Sequence, residues 1–211
     1  MSLIEISNAV MTGDHARVGE LTRRLIADGT DPKTILDDGL IAGMNVIGER
    51  FRVHEIFLPE VLLAAKAMYA GMDLLKPLLI RDGIPSIGKV VIGSVRGDLH
   101  DIGKNLVGIM LKGAGFDVID LGHDVSPERF VRTAQTENAV VIGMSALLTT
   151  TMPVMREVVD LVRAEGLDER ISTIVGGAPV TEAFAKDIGA DAYGFDAAKA
   201  VVVVKDLMGR P

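Results

Sequence analysis

The stretch Gly93–Gly103 reads Gly-Ser-Val-Arg-Gly-Asp-Leu-His-Asp-Ile-Gly and gathers three groups able to do chemistry: Asp98, His100 and Asp101. It follows a short apolar run, Val90–Ile92, with the character of a buried strand, and leads into Lys104–Lys112, which reads as a helix. A polar, histidine-bearing loop at the carboxyl end of a strand is where open α/β sheets hold ligands. Asp98, two residues before His100, is placed to accept one ring N–H. That fixes the tautomer and makes the other ring nitrogen a stronger metal ligand. One histidine does not make a zinc or non-haem iron site, which needs three or four protein ligands, and the following helix brings no second histidine or carboxylate cluster. A lone imidazole suits a metal already held in a macrocycle, to which the protein adds an axial ligand; haem and corrin both qualify. The plainer reading is that Asp98 or Asp101 caps the helix and His100 is polar surface. The loop's composition leaves both open.

The elements that must position this loop are written in the surrounding pattern. From Lys89 onward strands alternate with helices. Strands are expected at Val90–Ile92, Val118–Asp120, Val140–Met144, Thr173–Val175 and Ala192–Tyr193. Helices are expected at Lys104–Ala114, Pro127–Glu137, Pro153–Glu165, Thr181–Ile188 and Ala197–Met208, with Val201–Val204 as core. Ser126-Pro127-Glu128 is a strong helix start: a hydroxyl cap, a proline in the first turn and an acid against the dipole. Five such units predict an α/β fold with a doubly wound parallel sheet of five strands, of which the flavodoxin-like order places its switch point between strands one and three.

Residues 1–80 carry no strand pattern. Val10, Val18, Leu21, Leu25 and Ile26 recur at the helical period, and Gly29 can end that run. Asp31-Pro32 starts another helix with Ile35, Leu36, Leu40, Met44 and Ile47 on one stripe. After a loop at Arg52–Ile56, Pro59 opens a longer helix with Val61, Leu62, Ala65, Met68, Met72 and Leu75 on its inner face. This is a small helical bundle. Residues 83–88, with Gly83, Pro85 and Gly88, read as a linker. Gly83–Lys89 has the spacing of a phosphate loop, but Val90 stands where Ser or Thr must follow, and the segment precedes a strand instead of following one.

Bulk properties exclude several classes. A net charge of −7 opposes non-specific nucleic-acid binding, which needs clustered cations. The absence of cysteine excludes disulfides, Fe–S clusters and thiolate zinc. No signal peptide is read at the start. The longest apolar run, Ala139–Leu148, is too short for a bilayer, which takes about 20 residues. The expected setting is cytoplasmic.

Three motifs then carry a resemblance. Asp98-Leu-His100-Asp101-Ile102-Gly103 resembles the Asp-x-His-x-x-Gly motif of the cobalamin-binding domain shared by methionine synthase, corrinoid methyltransferase proteins and cobalamin-dependent mutases. Ser145-Ala-Leu147-Leu-Thr149-Thr-Thr151 resembles that family's Ser-x-Leu stretch after strand three, and Gly176-Gly177 its paired glycines after strand four. Phe51 and Phe57-Leu58-Pro59-Glu60 resemble the helical cap that precedes this domain in methionine synthase. The resemblance covers the whole chain: a cap at 1–82, a linker at 83–88 and a cobalamin-binding α/β domain at 89–211.

What it implies is specific. Cobalamin or a related corrinoid would bind with its own lower base displaced and His100 on cobalt, backed by Asp98 and the Thr151 hydroxyl, the latter in place of serine. The displaced nucleotide tail would enter between strands one and three, along Ser145 and Thr149, with Leu147 at the corrin edge. Gly176 and Gly177 would let a flat base pass close to the backbone. Tyr193, Asp196 and Ala197 would close the slot, and Phe51 and Leu58 would shield the upper face from water. The implied role is a methyl carrier between a substrate-specific methyltransferase and an acceptor methyltransferase using tetrahydrofolate or coenzyme M, with a reductive activation protein as further partner and no catalysis of its own. Two alternatives stand beside it: a cobalamin-dependent sensor or regulator, and a flavodoxin-like module without corrinoid. His54 and His123 have surface or near-cofactor readings. His15 reads as surface, and Glu60 as an acid favoured by the helix dipole.

Overall fold

The computed structural model describes residues 2–82 and 86–209. Residues 83–85, within the expected linker and the discarded phosphate-loop spacing, lie outside the described residues. The chain divides into two compact units, Met1–Ser86 with Lys112–Gly115, and Ile87–Leu111 with Phe116–Pro211.

The first unit is helical. It runs through α1 (Leu3–Met11), α2 (His15–Ala27), a single turn α3 (Pro32–Thr34), a π-helical segment (Ile35–Ile41), α4 (Ala42–Arg52) and α5 (Leu58–Arg81). The starts follow their caps: Asp14 accepts from the Arg17 amide and Asp31 from that of Thr34, with Pro32 in the first turn. Gly29, with φ 79°, ends α2 as expected. The apolar stripes are buried at Val10, Val18, Leu21, Leu25, Ile35, Leu40, Met44, Ile47, Val61, Met68 and Leu75. Two details depart from the simple period. The wider π turn at Ile35–Ile41 brings Ile35, Gly39, Leu40 and Ile41 inward together, which a regular 3.6-residue period does not do. Leu62, expected on the inner face of α5, is 44% exposed. The inward residues of that turn are Val61, Ala64 and Ala65, which places Leu62 beyond the edge of the stripe.

The second unit is an all-parallel five-stranded sheet in the order β2-β1-β3-β4-β5. Its strands are β1 (Lys89–Ser94), β2 (Asp117–Asp120), β3 (Val141–Ser145), β4 (Ser172–Gly176) and β5 (Ala192–Gly194). They alternate with α6 (Ile102–Gly113), α7 (Pro127–Glu137), α8 (Pro153–Ala164), α9 (Glu182–Ile188) and α10 (Ala197–Met208). This is the expected flavodoxin-like order, and its reversal lies between β1 and β3. Helix α7 begins at Pro127 under a Ser126 cap and ends on Asn138 in the left-handed region. The core of this unit is mostly aliphatic: Val91, Ile142, Met144, Val158, Val175 and Ile188 belong to one buried cluster that also holds Phe130. The Val201–Val204 cluster is core only at Val204; Val202 is 43% exposed, because consecutive residues on a helix point in different directions.

Candidate functional site

Where β1 ends, a tight loop carries the candidate residues. Ser94, the last residue of β1, pairs in register with Ser145 of β3, itself opposite Gly176 of β4. The loop is folded onto the start of the β2–α7 connection. The Gly97 amide donates to Asp124 Oδ1 at 2.7 Å, the Asp124 amide donates to the Asp98 carbonyl, and Val95 bridges Val125. This packing buries Asp98 completely.

Asp98 is the hub of the site. Its Oδ1 accepts the His100 amide at 3.0 Å and lies 2.8 Å from His100 Nδ1. Its Oδ2 accepts the Leu147 amide at 2.7 Å, the Leu148 amide at 3.2 Å and the Thr151 hydroxyl at 2.8 Å. Burial alone opposes the charged form. The donors from Leu147, His100 and Thr151 outweigh it and hold the carboxyl well below the usual carboxylate range. A buried anion facing Nδ1 makes that nitrogen the N–H donor and leaves Nε2 with its lone pair. The His100 side chain is 51% exposed, and Nε2 has no hydrogen-bond partner among the described residues.

The Thr151 hydroxyl also lies 2.9 Å from the Leu148 carbonyl. The hydroxyl has one hydrogen, and of its two neighbours the carboxylate is the stronger acceptor, so it donates to Asp98. The extra methyl of threonine is accommodated above Gly97: a Cβ built on that glycine would lie 3.4 Å from Thr151 Cγ2. Neither Asp98 nor Asp101 caps α6 through its side chain. Asp98 is committed elsewhere, and only the Asp101 carbonyl serves the helix, accepting from the Asn105 amide at 2.7 Å. The helix-capping reading of the loop therefore falls.

The other expected residues lie along the carboxyl edge of the same sheet. Ser145 is half-buried, and its hydroxyl has no hydrogen-bond partner among the described residues. Thr149 is exposed, and a Cβ built on Gly103 meets nothing within 4 Å. Leu99, Ile102, Leu147, Leu148 and Phe195 are all exposed at 43% or more, an apolar fringe on the loops that follow β1, β3 and β5. The paired glycines have a reason within the chain itself. A Cβ on Gly176 would lie 2.6 Å from the Gly194 carbonyl oxygen, and one on Gly177, with φ 125°, would lie 1.9 Å from that of Ala146. Tyr193 packs on the core and its hydroxyl donates to the Val180 carbonyl at 2.9 Å. Asp196 caps α10 by accepting the Lys199 amide, and Ala197 is buried. In the helical unit Phe51 and Leu58 are half-buried. His54 is exposed at a left-handed turn (φ 59°), and Glu60 accepts the Phe57 amide, so it caps α5 directly. His123 is exposed, and its neighbour Asp124 is the residue that holds the loop.

Three contributors have roles that the sequence reading did not assign. Ser94 is fully buried and its hydroxyl donates to the His100 carbonyl at 2.6 Å. Asp124 pins Gly97. Lys104 is buried and paired with both Asp120 oxygens and Asn105, joining the first turn of α6 to the end of β2. Their signal was polarity at strand ends, which by itself does not separate a buried clamp from a solvated turn.

The donor set fits a metal that brings its own equatorial ligands. It offers one imidazole, and no group of three His, Cys, Asp or Glu able to hold a metal ion exists among the described residues. No helix among the described residues is long and apolar enough to cross a membrane.

Comparison with known proteins agrees with this chemistry. A family model described as a B12 binding domain matches residues 88–202, and a second of the same description matches residues 4–76. The chain is 48% identical to dimethylamine corrinoid protein 1 of Methanosarcina acetivorans, over 84% of each chain. It is 39% identical to a corrinoid protein of Desulfitobacterium hafniense, over 100% of this chain and 99% of that one. Among solved structures it superposes with a TM-score of 0.88 on a chain of the methanol:cobalamin methyltransferase complex MtaBC from Methanosarcina barkeri, at 33% identity over 99% of this chain and 80% of that one. It also superposes with a TM-score of 0.81 on a cobalamin-binding protein from Desulfitobacterium hafniense, again at 33% identity, over 99% and 100%. The expected family and cofactor are thus found: this chain belongs to the corrinoid proteins of methyltransferase systems, whose cofactor is cobalamin or a related corrinoid.

Proposed function

We propose that this protein is a methyl carrier that binds cobalamin with His100 as the lower axial ligand, the cofactor's own base being displaced. It would take a methyl group from a substrate-specific methyltransferase and hand it to an acceptor methyltransferase acting on tetrahydrofolate or coenzyme M. The observation that carries this is the half-exposed His100 ring, with Nδ1 against fully buried Asp98 and Nε2 without a hydrogen-bond partner among the described residues. When bound, the cobalt supplies the nucleophile of the transfer. The chain's own residues do the rest. Asp98, held by Leu147, Leu148 and Thr151, orients the imidazole and keeps the proton on Nδ1. Ser145 and Thr149 are assigned to the displaced tail, supported by the unpartnered Ser145 hydroxyl at the switch point of the sheet. Leu147, Ile102 and Gly103 offer apolar, unobstructed surface to the macrocycle. Gly176, Gly177, Tyr193, Asp196 and Ala197 form the far end of the slot in this assignment. Asp101 is assigned to the cofactor surface as part of the shared motif. Phe51 and Leu58, by the resemblance of their segment to the family's cap, shield the reactive face and give way when a partner enzyme docks.

The partners follow from relatives named for dimethylamine and for a methanol:cobalamin methyltransferase complex. The donor is accordingly a small methylated amine or alcohol presented by its own methyltransferase, with a reductive activation protein to restore oxidised cobalt. The test is reconstitution of the apoprotein with cobalamin. The expected result is a visible spectrum of histidine-coordinated cobalamin, lost in His100→Ala while the far-UV circular dichroism is kept. An unchanged spectrum in that variant overturns the axial role. Failure of the loaded protein to accept a methyl group from any amine or alcohol methyltransferase overturns the carrier role.

A further inference from the structure

The His100 loop has an unusual mechanical problem. Leu99 and His100 are themselves largely exposed, so side-chain packing contributes little to where the ligating imidazole sits. Its position rests on hydrogen bonds to buried groups. On one side of the His100 Cα, the amide is held by Asp98 Oδ1 at 3.0 Å. On the other, the carbonyl accepts the Ser94 hydroxyl at 2.6 Å. Ser94 is fully buried and belongs to a strand, not to the loop. Its amide donates to the Gly122 carbonyl at 2.9 Å, its carbonyl accepts the Val125 amide at 3.0 Å, and it lies in register with Ser145. It is therefore a fixed point on the sheet scaffold that reaches forward six residues to the peptide following the ligand.

We propose that Ser94 is a positioning residue for the axial ligand: through the His100 carbonyl it sets the height and direction of the imidazole, without touching the cofactor. Asp98 fixes the ring's tautomer and tilt, and Ser94 fixes the backbone on which the ring swings. The inference rests on the reading of His100 as the cobalt ligand. Removing the hydroxyl leaves the carbonyl to water and frees the peptide, so the coordinated geometry must be selected from a wider set. The expected shift in the ratio of histidine-coordinated to uncoordinated cobalt is about three- to tenfold, the equilibrium equivalent of one net hydrogen bond.

The experiment uses full-length protein labelled with ¹⁵N at histidine, loaded with cobalamin and reduced to the Co(II) state. Electron paramagnetic resonance then separates cobalt coordinated by a protein imidazole, which gives a ¹⁵N doublet, from cobalt without an axial nitrogen, which shows no nitrogen splitting, and from cobalt coordinated by the cofactor's own ¹⁴N base, which gives a triplet. Wild type is expected to show the doublet, and Ser94→Ala a mixture with the doublet fraction reduced. Ser94→Thr, which keeps the hydroxyl, is expected to restore it. Ser94→Cys, close in volume but a weak donor, serves should the alanine variant fail to fold. A merely structural role moves the melting temperature and the bound amount but not the ratio in the protein that remains loaded. A wild-type doublet with an unchanged ratio in Ser94→Ala or Ser94→Cys overturns the role of Ser94 alone. A wild type without the doublet overturns the reading of His100, and this inference with it.

Discussion

Substituting Asp98 by asparagine changes one atom at the hub and should change the protein in two measurable ways. Asparagine can present its carbonyl to only one side. Turned toward the Oδ2 position it keeps the Leu147 and Leu148 amides and the Thr151 hydroxyl. Its NH2 then faces the His100 amide and Nδ1, where the carboxylate accepted at 3.0 and 2.8 Å. The reverse orientation sets the NH2 against three donors and is worse. In the favoured one the His100 amide loses its partner, at about 1–3 kcal/mol, and the surviving bonds lose their charge assistance. Relief from burying an anion offsets part of this, so the net cost is about 2–4 kcal/mol. At about 3–4 °C per kcal/mol for a unit of this size, the melting temperature falls by about 6–16 °C. The imidazole meanwhile is expected to take the other tautomer, with the proton on Nε2, the nitrogen proposed to hold cobalt. Thermal melting with circular dichroism reads the first effect, and the visible spectrum of the cobalamin-loaded protein the second. The pH dependence has a definite sign. The Asp98 carboxyl is held below its ordinary range, so its stabilisation is complete above the unfolded value of about 4 and declines as pH falls below it. The melting difference between wild type and Asp98→Asn should therefore be largest near neutrality and shrink below about pH 4. A variant that melts with wild type, or a difference constant from pH 7 to pH 3, refutes the reasoning.

Two other substitutions test the scaffold. Gly177→Ala places a methyl 1.9 Å from the Ala146 carbonyl oxygen at a φ of 125°, and should cost more than about 4 kcal/mol, seen as loss of folded protein on expression; a variant with wild-type melting contradicts it. Thr22→Val removes a buried hydroxyl that has no hydrogen-bond partner among the described residues and should raise stability by about 1 kcal/mol in denaturant titration; a drop shows that the hydroxyl is in fact satisfied.

Much of this architecture is local in origin and so could be read from the chain. The strand cores at Val90–Ile92 and Thr173–Val175, the Ser126-Pro127 start of α7 and the full span of α10 depend on runs of neighbours, and each was found within a residue or two. The likeness of Asp98, His100, Ser145 and Gly176 to a family's motifs is legible because each motif is local: the first two lie in the loop after β1, and Ser145 and Gly176 end β3 and β4. What stayed hidden depends on contacts across the sheet. The Leu147 and Leu148 amides meet Asp98 only through the pairing of β1 with β3, and a backbone amide leaves no mark on residue type. Ser94 falls within the polar stretch that follows Val90–Ile92, and a serine there carries no mark of a buried clamp. Gly176 and Gly177 were read as space for a ligand, but the first claim on that space comes from Gly194 and Ala146. The π turn at Ile35–Ile41 was invisible because it shifts a helix's period without changing its composition.

The sheet order also governs when the site can exist during synthesis. Asp98 is fully satisfied only by Thr151, 53 residues downstream, with β2 and α7 made in between. At about 5–20 residues per second, some 3–10 s separate the two on the ribosome. Through that interval the nascent chain already carries His100, while Asp98 lacks the Leu147, Leu148 and Thr151 donors that fix it. On the proposed ligation by His100, cofactor loading waits until β3 has emerged and docked, and a chain arrested before Thr151 is expected not to sequester the corrinoid.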